Sequence, residues 1–381
     1  MKFVIAPDSF KGGLTAKEAA KTMATGIKRV FPDADYVLVP MADGGEGTVQ
    51  SLVDATSGKL VTARVHNPLN QLVDANYGIL GDGKTAVIEM AAASGIQFIN
   101  DQTANPLVAT TYGTGELILD AINQGAKKII IGIGGSATVD GGAGMAQALG
   151  ARLLKADGQP IGFGGGALAD LAQIDVSQVD PRIAQTTIAI ASDVTNPLTG
   201  PDGAAPVFGP QKGATPEMVK ILDSNLHHYA AVIGRDTGKA VEKIAGAGAA
   251  GGLGAGLLAF TNAQMQHGVD LVITATRLQE KAAGADFVFT GEGGIDFQTK
   301  FGKTPYGVAK ASKAVAPHAP VIVLAGNIGK GVESLYTADA IDAIFATPAG
   351  AKPLKRALED APVDIAQTAE NVARLIRVNG H

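Results

Sequence analysis

The sequence predicts an α/β protein in which a doubly wound, parallel-sheet domain is interrupted by an inserted α/β domain with a mixed sheet. Short apolar runs alternate with amphipathic helical patterns near both chain ends, and three β-patterned runs follow one another in between. The 381 residues also exceed one ordinary hydrophobic core. We therefore predict one domain from residues 1–65 plus 285–381 and an inserted domain from residues 66–284.

The first predicted elements lie at the N-terminus. Residues 2–6 form an apolar run typical of a buried strand. Thr15 and Glu18 are spaced as a capping box, in which the two side chains satisfy free backbone N–H groups at a helix start. Apolar residues then recur on one helical face, namely Ala19, Ala20, Met23, Ile27 and Val30. Residues 36–39 are predicted as the second strand.

The C-terminal part has the same alternation. Strands are predicted at residues 287–289, 321–324 and 341–345, and helices around residues 306–316 and 360–378. Strands that alternate with helices are typical of a parallel sheet with helices on both faces. We expect this part to complete the sheet that the N-terminal strands begin.

The middle of the chain differs from both ends. Residues 59–66, 72–80 and 85–89 predict an antiparallel meander, since Asn-Pro and Gly-Asp-Gly turns separate them. Residues 78–85 also match the P-loop pattern, but a strand pattern follows them. A phosphate-binding P-loop opens a helix, so we predict a hairpin turn here.

Composition excludes several classes of protein. The net charge of −5 gives no general attraction to nucleic acid or to anionic membranes. The absence of cysteine excludes disulfides, thiolate catalysis and Cys-ligated zinc. His227 and His228 are interpreted as a solvated pair on a polar helix. No apolar run approaches the ~20 residues that span a bilayer, and we expect a cytoplasmic protein.

Four loops that each carry an acid follow predicted strands. They comprise residues 6–13, 41–48, 192–197 and 290–305. Ligands of open α/β sheets bind at the carboxyl ends of the strands, and a helix N-terminus favours anions. Four such loops on one side of a sheet would build a cleft.

The residue types in these loops favour phosphoryl transfer. Acids can hold Mg²⁺ or accept a hydroxyl proton, lysines neutralise the migrating phosphoryl group, and glycines let backbone N–H groups approach it. Glycoside hydrolysis leaves the lysines without a role. The Gly132 to Ala137 pattern, with Asp157 further on, leaves open an NAD(P)-dependent hydroxy-acid oxidoreductase. A non-catalytic small-ligand binding protein is the other alternative.

Six sequence blocks carry a resemblance to a known family. They are APDSFKGGLTAKEAA from Ala6, PMADGGEGT from Pro40, GGSATVDGGAGMAQALGA from Gly134, SDVTNPLTGPDGAAPVFGPQKGATPEMV from Ser192, GAAGGLGAG from Gly248 and TGEGGIDFQTKFGKTPYGVA from Thr290. Together they resemble the bacterial type I glycerate kinase family.

The resemblance implies transfer of the γ-phosphoryl group of ATP, with Mg²⁺, to D-glycerate. It favours 2-phosphoglycerate as the product, with 3-phosphoglycerate as the second choice. It also implies a flavodoxin-like fold for the domain that both chain ends form. A monomer and a homodimer both stay open.

Strand-end position and this resemblance together give the candidate residues. The catalytic candidates are Asp193 as the base for the glycerate hydroxyl, Lys11 and Asp296. The substrate-binding candidates are Ser9, Asn196, Gly134, Gly135 and Lys300, with Gly141 and Gly142 as further cradle glycines. The nucleotide-binding candidates are Asp43, Gly44, Gly45, Glu46, Gly291 and Glu292, of which Asp43 and Glu46 are also the Mg²⁺ candidates.

One position departs from the family pattern. The family block reads Gly-Glu-Gly followed by Arg, whereas this chain has Gly294 at that place. The contact that the Arg supplies is therefore absent or replaced, and Lys300 is our candidate for the replacement.

Overall fold

The structure, a computed structural model, describes residues 1–380, which divide by their contacts into two compact units. Unit 1 comprises Met1–Asp43, Gln50–Gly58 and the chain from Gly268 onward. Unit 2 comprises Gly44–Val49 and Lys59–His267. The domain boundaries predicted from the sequence, near residues 65 and 285, stay a prediction.

Strands and helices are numbered in chain order. The strands of the described chain are β1 (Lys2–Ile5), β2 (Asp35–Leu38), β3 (Lys59–His66), β4 (Leu72–Ile79), β5 (Thr85–Glu89), β6 (Lys128–Gly132), β7 (Arg152–Leu154), β8 (Gln173–Asp175), β9 (Thr187–Ala191), β10 (Gln264–Gln266), β11 (Phe287–Glu292), β12 (Val321–Ala325) and β13 (Ala343–Ala346). The α-helices are α1 (Ala16–Lys28), α2 (Thr48–Thr56), α3 (Ala91–Ser94), α4 (Tyr112–Asn123), α5 (Ala143–Ala148), α6 (Ala204–Phe208), α7 (Pro216–Thr237), α8 (Ala249–Phe260), α9 (Gly268–Thr276), α10 (Leu278–Ala282), α11 (Thr304–Lys313) and α12 (Leu354–Gly380). Short 3₁₀ helices lie at Ile96–Phe98, Ala167–Asp170, Ile183–Gln185, Pro210–Lys212, Phe297–Lys300 and Val332–Leu335.

Unit 1 contains a five-stranded sheet in the order β13-β12-β11-β1-β2, and every neighbouring pair is parallel. In β1 the consecutive residues Phe3, Val4 and Ile5 are all fully buried, so both faces of the sheet centre are covered. The ring of Phe3 packs among four other aromatic rings, those of Phe31, Tyr36, Phe287 and Phe289. The predicted parallel sheet from both chain ends is confirmed.

Helices α1 and α12 of unit 1 pack directly against each other. The predicted capping box at the start of α1 is confirmed, because the side chains of Thr15 and Glu18 each bond the backbone N–H of the other. Gly26 permits the close approach of the two helices. A Cβ at this position would lie 2.1 Å from the carbonyl oxygen of Ala366 in α12.

Unit 2 contains a six-stranded sheet in the order β10-β9-β6-β5-β4-β3. The four strands β5, β6, β9 and β10 pair in parallel, whereas β3, β4 and β5 form an antiparallel meander. The predicted mixed sheet is therefore confirmed. Strands β7 and β8 form a separate antiparallel pair.

The P-loop-like segment is the hairpin turn between β4 and β5. The carboxylate of Asp82 accepts hydrogen bonds from the backbone N–H groups of Lys84 and Thr85 at 2.9 and 2.8 Å. Because Thr85 begins a strand, these N–H groups serve the turn and no helix N-terminus follows.

The four acid-carrying loops do not follow strands of one sheet. Three of them follow β1, β2 and β11 in the five-stranded sheet, while the loop at residues 192–197 follows β9 in the six-stranded sheet. The expectation of one shared sheet side is thus wrong, because local patterns do not show which strands pair. Within residues 1–380 no helix combines the length and the apolar character that crossing a membrane requires.

We predict that Gly26→Ala destabilises the protein although alanine is the better helix former. An unobstructed Gly→Ala change in a helix stabilises by roughly 0.5–1 kcal/mol, whereas overpacking costs about 1–3 kcal/mol. The melting temperature should therefore fall.

The matched control is Gly234→Ala in α7, where the nearest atom to a new Cβ is 4.0 Å away. This variant should melt at or above the wild-type temperature. Equal melting of both variants would contradict the close helix packing.

Candidate functional site

Unit 1 has a cavity of about 340 Å³ at the carboxyl ends of its central strands. Its polar lining includes Asp8, Ser9, Lys11, Asp43, Glu292, Lys303 and Asp364. The apolar part of its wall includes Phe10, Pro348, Leu354, Leu358 and Ala361. The cavity thus offers charged groups together with apolar surface that suits a flat apolar group.

Asp8 is a buried acid of the cavity, with 7% of its surface exposed. Its carboxylate accepts hydrogen bonds from its neighbour's backbone, Ser9 N, and from Thr304 Oγ1, both at 2.6 Å. Burial and the negative charge of Asp43 raise the pKa of Asp8 to about 6, against the lowering effect of these hydrogen bonds. Sequence reasoning assigned Asp8 no role, although its position directly after β1 was the available signal.

Glu292, the last residue of β11, has a larger pKa shift than Asp8. Its Oε1 is buried and makes no hydrogen bond with any residue that the structure describes. Burial raises the pKa of Glu292 to about 8, and the charges of Asp8 and Asp43 add to the effect while Lys303 opposes it. The side chain is therefore mostly protonated at neutral pH, and a cation beside it would displace that proton.

Four sequence candidates line this cavity together: Ser9, Lys11, Asp43 and Glu292. Gly291 is not among the lining residues, and a Cβ there would lie 2.1 Å from the carbonyl oxygen of Leu324. Its own carbonyl oxygen accepts a hydrogen bond from Asp8 N at 2.8 Å, which fixes the loop after β1.

Asp296 and Lys300 lie outside the residues that line the cavity. Asp296 caps the 3₁₀ helix Phe297–Lys300 by accepting a hydrogen bond from Gln298 N at 2.8 Å. The Nζ of Lys300 lies 5.1 Å from the centre of the Phe301 ring. The lysine of this segment that lines the cavity is Lys303, which sequence reasoning did not single out.

Gly294 lines the same cavity, and the space around it is open. A Cβ there would meet only Asn327, at 3.8 and 3.9 Å, which are ordinary contact distances. The backbone therefore accepts a side chain at the position where the family pattern has Arg. The glycine leaves this part of the cavity wall uncharged.

The loop after β2 contributes Gly44, Gly45 and Glu46 to unit 2. Glu46 is exposed. A Cβ on Gly132 would lie 2.7 Å from the carbonyl oxygen of Gly44. Glycine at position 132 therefore permits the close approach of these two segments. Gly45 O accepts hydrogen bonds from the backbone and hydroxyl of Thr48.

Glu89, the last residue of β5, supports this loop and was not predicted. Its Oε1 accepts a hydrogen bond from Val49 N at 2.9 Å. Burial raises the pKa of Glu89, and backbone N–H groups of residues 47–49 counteract the shift. Its place at the end of a buried strand was the sequence signal.

The parallel strands of unit 2 bring a second set of polar residues to their carboxyl edge. Gly134 and Gly135 follow β6 and are exposed. Asp193 follows β9, and its Oδ1 lies 2.8 Å from Nδ1 of His267, which follows β10. Asn196 donates a hydrogen bond from Nδ2 to the carbonyl oxygen of Asp202 at 2.8 Å. His267 was missed because the three-residue strand before it has no apolar pattern.

The other two cradle candidates, Gly141 and Gly142, are buried and serve packing. A Cβ on Gly141 would lie 2.7 Å from the ring of Tyr229, and one on Gly142 would lie 3.0 Å from Gly256 Cα. Both have positive φ, 64° and 75°, which glycine adopts without strain. Helix α5 begins only after them, at Ala143, so β6 does not lead directly into a helix as a dinucleotide-binding turn does.

A buried charged cluster anchors this loop. The Nζ of Lys212 donates hydrogen bonds to Ser136 Oγ and to the carbonyl oxygen of Thr138, at 2.6 and 2.7 Å. Burial lowers the pKa of Lys212 to about 7, and the nearby charge of Asp140 opposes the shift.

Asp140 is also fully buried, and burial raises its pKa against hydrogen bonds from Thr111 and two glycines. Sequence reasoning missed Lys212, since it lies between Gln211 and Gly213 and no apolar pattern around it indicates burial. Two buried charged residues therefore fix the glycine-rich loop after β6. Lys212 bonds to the loop from another segment, and Asp140 lies within the loop.

Comparisons with known proteins agree across the chain. Residues 3–377 match the model of the "Glycerate kinase family". The "Glycerate kinase" of Halalkalibacterium halodurans is 54% identical over 97% of this chain and 97% of that protein. The "Glycerate 2-kinase" of Escherichia coli K12 is 50% identical over 99% and 98%. A crystal structure of a Salmonella typhimurium LT2 protein, described as a glycerate kinase 2, superposes with a TM-score of 0.92 at 49% identity, covering 100% and 99%.

We predict that Lys212 makes the stability of the protein rise between pH 7 and pH 9. Its folded-state pKa of about 7 lies below the ordinary value of 10.5, so the unfolded chain binds more protons in this window. The free energy of unfolding should increase by on the order of 2–3 kcal/mol from this group.

The measurement is urea denaturation of the wild type and of Lys212→Met at both pH values. Lys220→Met, which removes an exposed lysine, is the control and should keep the wild-type dependence. The same increase in Lys212→Met as in the wild type would rule out this assignment.

Proposed function

Since the chain belongs to the glycerate kinase family, we propose that it transfers the γ-phosphoryl group of ATP to D-glycerate with Mg²⁺. We propose 2-phosphoglycerate as the product, with 3-phosphoglycerate as the second choice. The 50% identical relative from Escherichia coli, whose name is glycerate 2-kinase, supports the first choice.

The observation that carries the proposal is the unit 1 cavity, where Asp8, Asp43 and Glu292 lie with Lys11 and Lys303. Lysines beside acids suit the phosphates of a nucleotide and their metal ion, and the apolar wall suits its base. A three-carbon acid would fill only a small part of about 340 Å³. We therefore propose this cavity as the nucleotide site.

The strand order supports a flavodoxin-like arrangement of unit 1. Counted along the chain within this unit, the five strands are ordered 2-1-3-4-5, which is the order of the flavodoxin-like doubly wound fold. In such folds ligands bind outside the carboxyl ends of the strands, at the point where the order reverses. That point lies between β1 and β11. Strand β1 ends shortly before Asp8, and β11 ends at Glu292.

The acids of the cavity fit a magnesium ion. Glu292 has a buried oxygen without a hydrogen bond in the described chain. The charge of Asp43 raises the pKa of Asp8, and the charges of Asp8 and Asp43 raise the pKa of Glu292. No three His, Asp or Glu side chains within residues 1–380 form a ready metal site. Mg²⁺ is often bound by one or two carboxylates together with substrate phosphates, and there it neutralises phosphate charge. Asp43 and Glu292 would hold it here. Glu46, which belongs to unit 2 and does not line this cavity, is a separate Mg²⁺ candidate.

The remaining roles are proposed residue by residue. Asp193 takes part in removing the proton of the glycerate hydroxyl, and Asn196 helps to place the substrate. Lys11 and Ser9 hold the substrate carboxylate or the transferred phosphoryl group. The further proposed residues are Asp296 in catalysis, Gly134, Gly135 and Lys300 at the substrate, and Gly44, Gly45 and Gly291 at the nucleotide.

We expect the purified protein to convert ATP, Mg²⁺ and D-glycerate into ADP and 2-phosphoglycerate. ³¹P NMR against both phosphoglycerate standards identifies the product, and a reaction without D-glycerate is the control. A 3-phosphoglycerate signal would overturn the choice of hydroxyl. Intact ATP would overturn the proposed activity.

We also predict that Mg²⁺ binding releases close to one proton at pH 7, because the pKa of Glu292 is raised to about 8 and falls when a cation binds beside it. Calorimetric titration with a non-hydrolysable ATP analogue, in two buffers of different ionisation enthalpy, counts the released protons.

Two variants make this measurement specific. Glu292→Gln should abolish the release, while Glu333→Gln, an exposed change in the same unit, should keep it. Unchanged release in Glu292→Gln would remove Glu292 from the metal site.

A further inference from the structure

We infer that His267 is the catalytic base, and that Asp193 positions its ring instead of taking the proton directly. This inference rests on the proposed function. The hydroxyl proton of glycerate passes to Nε2 of His267, and the hydroxyl oxygen forms a bond to the γ-phosphorus of ATP. The bond from that phosphorus to the β,γ-bridging oxygen breaks, and its electron pair leaves with ADP.

Strand pairing fixes the two side chains next to each other. Strands β9 and β10 are parallel neighbours, with Ala191 opposite Gln266. The pairing continues one step further, because Ser192 N donates a hydrogen bond to the carbonyl oxygen of Gln266 at 3.1 Å. Asp193 and His267 are the next residues on the two chains, so backbone hydrogen bonds hold the carboxylate against the ring.

The hydrogen bond determines which ring nitrogen is available. Oδ1 of Asp193 lies 2.8 Å from Nδ1 of His267, a distance that favours the proton on Nδ1. Nε2 then carries the free electron pair, and it makes no hydrogen bond to the residues described here. The His267 side chain is 68% exposed and that of Asp193 is 33% exposed, so the ring is the more accessible group.

Two other histidines in the described chain also lie beside carboxylates, and their positions differ. His66 ends β3 on the antiparallel side of the sheet and contacts Glu116, while His227 lies within α7 and contacts Glu242. Only His267 of these three follows a strand in the parallel part, where α/β sheets bind ligands. His227 is thus a matched example of a histidine–carboxylate pair away from such an edge.

The chemistry also favours the ring over the carboxylate. A general base works best when its pKa lies near the operating pH, and the ordinary value for imidazole is about 6.5 against about 3.9 for Asp. In unit 2, the carboxylate of Asp193 contacts His267, and the flanking Gln264, Gln266 and Ser192 are uncharged. A negative neighbour of this kind also stabilises the imidazolium that forms.

The test compares pH profiles of kcat and kcat/KM for D-glycerate at saturating ATP and Mg²⁺. We expect His267→Gln to lower kcat by about 10²–10⁴-fold with little change in KM, and to lose the acidic limb of the wild-type profile. Asp193→Asn should lower kcat and shift this limb. His227→Asn should keep the wild-type profile, and all variants should keep the wild-type melting temperature within a few degrees.

Comparing the variants assigns the limb, since Asp8, with a pKa of about 6, titrates on the acidic side of neutral pH. Product formation with near-wild-type kcat and an unchanged limb in His267→Gln would overturn the inference and leave the kinase proposal standing. In that case, a large loss in Asp193→Asn would identify the carboxylate as the base. A wild-type protein that forms no phosphoglycerate would overturn both.

Discussion

The parallel pairing of β1 with β11 is the interaction on which the unit 1 cavity depends. It aligns Phe3 with Phe287, and beyond the strands it continues as hydrogen bonds from Ala6 N to Phe289 O and from Asp8 N to Gly291 O. These bonds bring Asp8 and Glu292 from opposite ends of the sequence to one cavity. Neither acid would have its raised pKa without this pairing, because burial at the strand ends is the largest cause for both.

Glycine at selected positions makes the other close approaches possible. Gly26 lets α1 reach α12, Gly291 lets β11 lie against Leu324 O, and Gly141 makes room for Tyr229. Several of the glycines that look like ligand loops in the sequence therefore serve contacts between backbones. Gly134 and Gly294 differ from them, since a Cβ at either position would meet no close obstacle.

Elements that depend on local patterns could be predicted from the sequence. The bounds of β3 and β5 agree with the predicted ones, because their alternating or apolar residue patterns set them. Long-range contacts could not be predicted in this way. Lys212 looks like a surface lysine among its sequence neighbours. In the structure it is buried, and its hydrogen-bond partners lie in a loop more than seventy residues earlier.

Unit 1 consists of the two ends of the chain, and this has a consequence for synthesis on the ribosome. Strand β1 emerges first, but its partner β11 emerges only after the whole of unit 2. The apolar faces of the N-terminal strands therefore stay partly uncovered until β11 has been synthesised. During this time the intervening chain can already fold around its own core. Closing so long a loop costs entropy before any contact repays it, so the completion of this sheet belongs to the slow, late part of folding. A chain released before residue 287 would lack the central pairing of unit 1 and would expose β1 as an unpaired edge.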